Sequence, residues 1–218
     1  DERGGLFKWA ELASGREHHR RKCHRKTIRG GLMVEAKTSP PLQRMLITIE
    51  YDGTELVGWQ RQDNGPSVQA YLEAAAKKLT NQPTPIQGSG RTDAGVHAYA
   101  QAAHLDVPAS LNSYAVVNGL NAWLETRQIS VLSAQPVEAE FHARFDAAER
   151  GYLYRVLDRP IPASLRRQHV WHHRRKLDVE AMNEAAQQLV GQHDFTSFRA
   201  TGCQANSPMR TLDSLSVS

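Results

Sequence analysis

The chain has 218 residues, a formal net charge of +4 and an apolar fraction of 40%. This length is enough for one substantial core or two small ones, and the apolar fraction is ordinary for a globular protein. No apolar run approaches the roughly 18 to 20 residues that a membrane-spanning helix requires. The two cysteines, Cys23 and Cys203, lie far apart, which excludes a disulfide framework and favours a reducing, cytoplasmic location.

The positive charge is distributed unevenly. Residues 1–32 hold nine basic and four acidic side chains, which leaves 27 − 9 = 18 basic and 23 − 4 = 19 acidic side chains in residues 33–218. A local excess remains over residues 150–176, where eight basic side chains accompany one acidic side chain. This basic segment is a candidate phosphate-binding surface, although each of its charges can equally belong to a solvated surface. The candidate contacts are Arg150, Arg166, Arg167, Arg174, Arg175 and Lys176.

Residues 1–44 form a basic N-terminal extension without sustained apolar periodicity. Such a stretch cannot bury an apolar face, so we expect it to be disordered. A zinc site built from His18, His19, Cys23 and His24 is conceivable, but their spacing favours a solvated basic tail. We therefore expect no metal and no cofactor.

Apolar periodicity predicts strands and helices over the remaining residues. In chain order they are a strand over 45–51, a helix capped by Ser67, a strand over 97–107, a helix capped by Ser110, a short strand over 129–132, a strand over 152–157, and a helix capped by Asp178 and ended by Gly191. Leu215–Ser218 alternate in the same way, and we expect the chain to stop within a strand.

This arrangement predicts an α+β fold, because strands and helices interleave without the regular crossovers of a parallel doubly wound sheet. We expect a mixed, mainly antiparallel sheet flanked by helices. An N-terminal subdomain would span residues 45–145 and carry the functional loop. Residues 146–218 would begin a C-terminal subdomain whose last part is incomplete.

The glycine-rich loop over residues 88–97 carries the chemistry. Three glycines surround Arg91 and Asp93, and glycine permits tight turns and close ligand approach. Arg91 would favour the ionised form of Asp93, and an ionised aspartate can act as nucleophile or base. From the residues alone, a turn in which Asp93 caps backbone amides is at least as good an interpretation.

The loop sequence Gly90-Arg91-Thr92-Asp93-Ala94-Gly95-Val96-His97 resembles the motif of the TruA-type tRNA pseudouridine synthases. Other segments resemble the same family in the same order, and they span residues 45–218. They are Glu50-Tyr51-Asp52-Gly53, Gly58-Trp59-Gln60-Arg61-Gln62, Ser67-Val68-Gln69, Phe141-His142-Ala143-Arg144-Phe145, the pair Tyr152 and Tyr154, His193-Asp194-Phe195-Thr196-Ser197-Phe198-Arg199, and Ser207-Pro208-Met209-Arg210.

The resemblance implies the pseudouridine synthase fold and isomerisation of uridine at positions 38, 39 and 40 of the tRNA anticodon stem-loop. It makes Asp93 the catalytic residue, Arg91 the side chain that helps to displace the target base, and Tyr152 the residue that stacks on the uracil. Trp59 and His97 are assigned to packing and loop support. The resemblance also implies a homodimer that binds tRNA, with no metal, no cofactor and no membrane.

Two other functions stay open at this point. The first is a truncated, non-catalytic RNA-binding module, since the family's last strands and a basic partner of the aspartate would follow Ser218. The second is a carboxylate-dependent nucleosidase or glycosidase, which would normally need two cooperating carboxylates, whereas the loop offers Asp93 alone. The resemblance therefore predicts the family's function for the parent protein, and lower or no activity for this exact chain.

Overall fold

The computed structural model describes residues 6–9, 40–199 and 207–218. In these ranges the strands are β1 (Leu6–Trp9), β2 (Leu42–Tyr51), β3 (Gln87–Gly88), β4 (Ala98–Pro108), β5 (Ile129–Val137), β6 (Tyr152–Asp158), β7 (Trp171–His173), β8 (Gly191–Asp194), β9 (Met209–Leu212) and β10 (Leu215–Val217). The helices are α1 (Val68–Thr80), α2 (Ser113–Trp123), α3 (Val179–Gln187) and a short 3-10 helix, Thr196–Phe198. No helix of this described part is long and apolar enough to cross a membrane.

The first sheet has the order β3-β4-β2-β5, and all of its pairings are antiparallel. Alternate residues of β2, from Met45 to Tyr51, are buried, because successive side chains of a strand point to opposite faces. They join the inward residues of β4 and β5 and the apolar faces of α1 and α2 in one core cluster. Both helices therefore cover the same face of this sheet.

The helices begin where side chains satisfy their free amides. Ser67 accepts a hydrogen bond from the Ala70 amide at the start of α1, and Asp178 accepts one from the Ala181 amide at the start of α3. Both caps were predicted, and both agree with the preference of helix starts for short polar side chains. The cap of α2 is Asn112 rather than Ser110, since the helix begins later than predicted.

The second sheet has the order β10-β1-β6-β7 and contains the one parallel pairing among the described strands, β6 with β7. Strands β8 and β9 form a separate two-stranded antiparallel sheet. The apolar cluster next to this sheet is small, with Ala186, Leu215 and Val217 as its buried members. The predicted α+β class and the mainly antiparallel pairing are confirmed. All members of the first cluster precede residue 145 in the sequence, and all members of the second follow it. The subdomain bounds stay a prediction.

Several boundaries differ from the predictions. Strand β2 begins at Leu42, and β5 extends to Val137 because it pairs with β2 along most of that strand's length. Helix α3 is capped by Gln188, and Gly191, at a φ of 103°, instead opens β8. Within the extension over residues 1–44 the structure describes Leu6–Trp9 as a strand. The candidate zinc ligands of that extension lie outside the described residues.

Candidate active site

The glycine-rich loop joins β3 to β4, so both of its ends belong to the first sheet. The Ser89 amide donates a hydrogen bond of 2.8 Å to the carbonyl of Ala102. The side-chain amide of Gln101 donates one of 2.7 Å to the carbonyl of Gly90. These bonds fix the direction in which the loop leaves the sheet.

Thr92 is the main internal anchor of the loop. Its hydroxyl lies 2.9 Å from the hydroxyl of Tyr51, and its carbonyl accepts a 3.0 Å hydrogen bond from the amide of Trp59. Tyr51 and Trp59 are 4% and 3% exposed, so both anchoring residues belong to the core. Because Thr92 directly precedes Asp93, these contacts fix the backbone that carries the candidate catalytic carboxylate.

Two glycines outside the loop allow this close packing. A Cβ added at Gly58 would lie 2.4 Å from the Thr92 carbonyl oxygen, and one at Gly53 would lie 2.1 Å from the Val96 carbonyl oxygen. Gly58 also has a φ of +106°, which L side chains rarely adopt. The segment that contains both glycines therefore supports the loop by direct backbone contact.

Asp93 itself lies at a turn whose backbone is fixed and whose surface is open. The Val96 amide donates to the Asp93 carbonyl at 3.2 Å, and the Gly95 amide donates to the Leu56 carbonyl at 3.2 Å. Both Asp93 and Arg91 are exposed to solvent. The arrangement presents a carboxylate at a defined place where a large substrate can reach it.

Tyr152 opens β6 and is 43% exposed. Burial raises the pKa of Tyr51, the Thr92 hydrogen bond opposes this shift, and the electrostatic effect of Tyr152 adds to it. Tyr152 therefore lies close to the residue that anchors the loop. The Cδ atom of Arg150 would be 4.0 Å from a Cβ at Gly90, which places Arg150 beside the same loop.

The basic segment meets the loop at His97. Nε2 of His97 lies 2.8 Å from the carbonyl oxygen of Gln168 and donates its hydrogen to it. The His97 ring also stacks on the ring of His169, with centroids 4.1 Å apart and planes at 24°. Arg166 and Arg167, which directly precede this contact, are exposed. The predicted support role of His97 thus has a concrete partner in the basic segment.

The last three basic candidates lie beyond β7. Arg174, Arg175 and Lys176 are exposed, and Nζ of Lys176 lies 3.5 Å from a carboxylate oxygen of Asp158. A hydrogen bond from the Leu177 amide, with Lys176 close by, lowers the pKa of Asp158. The structure therefore gathers Asp93, Arg91, Tyr152 and Arg150 around the loop, with Arg166 and Arg167 at its margin, and it places these three candidates after β7.

The sequence interpretation did not identify the anchoring role of Tyr51 and Thr92. The signal was available, because the alternation of β2 predicts that Tyr51 shares the buried face with Ile49 and Ile47. What the pattern does not contain is the tertiary contact between this strand's end and the loop. The close approach of Gly58 to the Thr92 carbonyl could not be predicted from the sequence for the same reason.

Comparison with known proteins gives a consistent result. A sequence profile described as tRNA pseudouridine synthase matches residues 47–146 and 185–218. The tRNA pseudouridine synthase A of Maricaulis maris is 54% identical over 177 residues, which cover 81% of this chain and 71% of that protein. The proteins of the same name from Rhodospirillum centenum and Sinorhizobium fredii are 52% and 51% identical over 176 and 178 residues, again covering 81% of this chain and 72% of each relative.

Proposed function

Because this chain belongs to the tRNA pseudouridine synthase family, we propose that it isomerises uridine to pseudouridine in tRNA with Asp93 as the catalytic carboxylate. The observation that carries the proposal is the loop geometry. The backbone on both sides of Asp93 is held by the core through Thr92 and Gly95, while the residue itself is open to solvent. A reacting group needs this combination of fixed position and access.

The reaction breaks the C1′–N1 bond, turns the uracil and forms a C1′–C5 bond. C5 loses its proton and N1 gains one, so the product has the same atoms as the substrate. The Asp93 carboxylate has two possible roles, attack on the nucleoside or removal of a ribose proton. Both roles use an ionised carboxylate and a base that has left the helical stack.

Tyr152 and Arg91 supply the groups that an extruded base requires. Single-stranded and flipped bases are commonly recognised by stacking on aromatic side chains. Tyr152 is partly exposed and lies beside the residue that anchors the loop, which supports a role for its ring as the platform for the uracil. Arg91, two residues before Asp93 and exposed, is the group that helps to displace the base.

The basic segment would bind the phosphates of the RNA backbone. Arg166 and Arg167 are exposed next to the contact with His97, and Arg150 lies beside Gly90. Cations at this margin can bind the RNA backbone and thus position the target base without reading its sequence. Arg174, Arg175 and Lys176 would extend this surface, with Lys176 shared between phosphate and Asp158.

The finer parts of the proposal rest on the family resemblance. They are modification at positions 38, 39 and 40 of the anticodon stem-loop, action as a homodimer and a cytoplasmic location. The wide spacing of Cys23 and Cys203 agrees with that location.

The deciding experiment maps pseudouridine in unmodified tRNA after incubation with the chain, its Asp93→Asn variant and a control, Asp213→Asn. Asp213 is exposed in the turn between β9 and β10. We expect pseudouridine in the anticodon arm with the unchanged chain and the control, and none with Asp93→Asn, while tRNA affinity stays the same in all three.

Two outcomes would replace the proposal. Tight tRNA binding without product, at unchanged affinity in Asp93→Asn, would favour the non-catalytic RNA-binding module. Release of free uracil would favour a nucleosidase, because isomerisation leaves the mass of the RNA unchanged.

A further inference from the structure

Three side chains with metal-binding atoms meet at the end of the loop that follows Asp93. Asp52 comes from the turn after β2, His97 from the end of the loop and His169 from the basic segment. One nitrogen or oxygen atom from each of the three lies within 4.8 Å of the other two. Nδ1 of His97 is 3.0 Å from one Asp52 oxygen, and Nε2 of His169 is 3.9 Å from the other.

The shorter of these two separations is close to the ligand spacing of a small tetrahedral cation, and the longer one exceeds it. Zinc binds histidine nitrogen and carboxylate oxygen at about 2.0 to 2.2 Å, which separates neighbouring ligands by roughly 3.3 Å. Two imidazoles and one carboxylate favour zinc-like transition metals over magnesium, which prefers six oxygen ligands. Three protein ligands would also leave a position open for water.

The surrounding hydrogen bonds orient two of the three ligands. His97 donates from Nε2 to the Gln168 carbonyl, so its Nδ1 carries the lone pair, which accepts from the Gly53 amide and lies 3.0 Å from an Asp52 oxygen. Metal-binding histidines usually donate their second ring nitrogen in this way. Hydrogen bonds from the amide and hydroxyl of Thr54 hold the Asp52 carboxylate in place.

Metal binding needs two local adjustments. His169 must turn out of its stack with His97, because a metal lies in the plane of each imidazole ring that binds it. Its side chain is 38% exposed, which leaves room for this rotation. The metal must also replace the Gly53 amide, which lies 3.2 Å from Nδ1 of His97. Both adjustments reduce the affinity below that of a closed four-ligand site.

We propose that Asp52, His97 and His169 form an exchangeable site for a zinc-like divalent transition metal. The bound metal would join the basic segment to the end of the glycine-rich loop. This site goes beyond the proposed isomerase function and does not depend on it.

The test is a titration of the full chain with Co²⁺, whose visible absorption reports nitrogen and oxygen coordination, followed by displacement with Zn²⁺. We expect one saturable site, and binding at least about tenfold weaker in His169→Gln. His193→Gln is the matched control, because His193 lies on β8 and has the Val190 carbonyl as its partner. This control should bind Co²⁺ like the unchanged chain.

A further variant excludes binding by the N-terminal extension. It replaces the four candidate ligands there, His18, His19, Cys23 and His24, with serine or asparagine, and it should retain the site. The proposal is wrong if this variant loses Co²⁺ binding, if His169→Gln binds like the unchanged chain, or if no saturable site exists.

Hydrogen exchange provides a second readout. Zn²⁺ should slow amide exchange over residues 166–171 in the unchanged chain and leave it unaffected in His169→Gln, whose metal-free melting temperature should match that of the unchanged chain. Equal slowing in both proteins would contradict the site. Asp93→Asn should bind metal normally, so failure of the isomerase proposal would be recognisable separately.

Discussion

The two ends of the candidate site are built differently. The loop that carries Asp93 is attached to a large core, which combines β2, β4, β5, α1 and α2. The basic segment lies next to a cluster with three buried members, and it exposes Trp171 at 68% and Leu165 at 86%. One side of the site therefore has a fixed backbone, and the other has exposed side chains on long connections.

This difference agrees with the two tasks in the proposed reaction. A carboxylate that makes or accepts a bond needs its position fixed to within a fraction of an ångström. Phosphate contacts position a ligand through charge, which tolerates more freedom in the side chains. Substitutions near Asp93 should therefore change stability and turnover, whereas substitutions of the exposed basic side chains Arg166 and Arg167 should change RNA affinity alone.

The largest effect is expected for Gly58→Ala. A Cβ here would lie 2.4 Å from the Thr92 carbonyl oxygen, and the φ of +106° adds backbone strain. We expect a loss of about 2 to 4 kcal/mol in the free energy of unfolding and a fall of about 100-fold in kcat. Urea unfolding and single-turnover pseudouridine assays would measure the two quantities.

Gly95→Ala is the matched control for stability. Gly95 also has a positive φ, +80°, but nothing lies within 4 Å of an added Cβ. The strain alone should cost about 1 to 2 kcal/mol. Equal losses of stability in the two variants would show that the contact between Gly58 and Thr92 does not hold the loop.

The second effect concerns Tyr51→Phe, which removes the hydroxyl 2.9 Å from Thr92. We expect a loss of about 1 kcal/mol in the free energy of unfolding, a kcat lower by about tenfold and an unchanged KM. The reason is that the loop loses an anchor, while the groups that bind RNA stay the same. Tyr71→Phe, a partly buried tyrosine on α1 that packs against the same core, is the control. If both variants lose the same activity, the Tyr51 hydroxyl has no positioning role.

Local periodicity was sufficient for the parts of the fold that depend on neighbours in the chain. The alternation of Met45, Ile47 and Ile49 predicts β2, and the caps Ser67 and Asp178 predict where two helices begin. The α+β class follows from these elements. The motifs also placed Asp93 in a loop, which the structure shows between β3 and β4.

Contacts between distant segments could not be read from the sequence. The Thr92 anchor joins residues 41 positions apart, and the bond from His97 to Gln168 spans 71 positions. Neither contact has a local pattern, because each arises from the packing of whole elements. The cap of α2 was misplaced for a simpler reason, since Ser110 and Asn112 are both good caps and only the start of the helix distinguishes them.

The third effect is confined to RNA affinity. Replacing Arg166 and Arg167 together with glutamine should weaken tRNA binding several-fold and reduce the salt dependence of log K by about 1 to 2. Stability should change by less than about 0.5 kcal/mol, because both residues are exposed. The double variant Lys77→Gln/Arg127→Gln removes two exposed charges that lie outside the basic segment and should leave the salt slope unchanged. If both double variants had the same salt dependence of log K, the basic segment would not be part of the RNA interface.

The smallest expected effect is a pH dependence of the free energy of unfolding. It originates in the large core to which the Asp93 loop is attached. His104 is 5% exposed, and its Nδ1 accepts a hydrogen bond from the Ala143 amide at 3.1 Å. Burial, followed by the charge of Arg44, lowers the pKa of His104 below its usual value of 6.5. The unfolded chain therefore binds a proton at this residue more readily than the folded chain does.

The free energy of unfolding should consequently be highest above the usual histidine pKa and should decrease as the pH falls from about 7.5 to 5.5. His104→Gln keeps an acceptor for the Ala143 amide but does not titrate, so its unfolding free energy should change less over the same range. His193→Gln, on β8 in the second half of the chain, should keep the full slope. Urea unfolding at a series of pH values measures all three proteins. An unchanged slope in His104→Gln would mean that the acid sensitivity arises elsewhere, and the buried histidine of the core would then have no part in it.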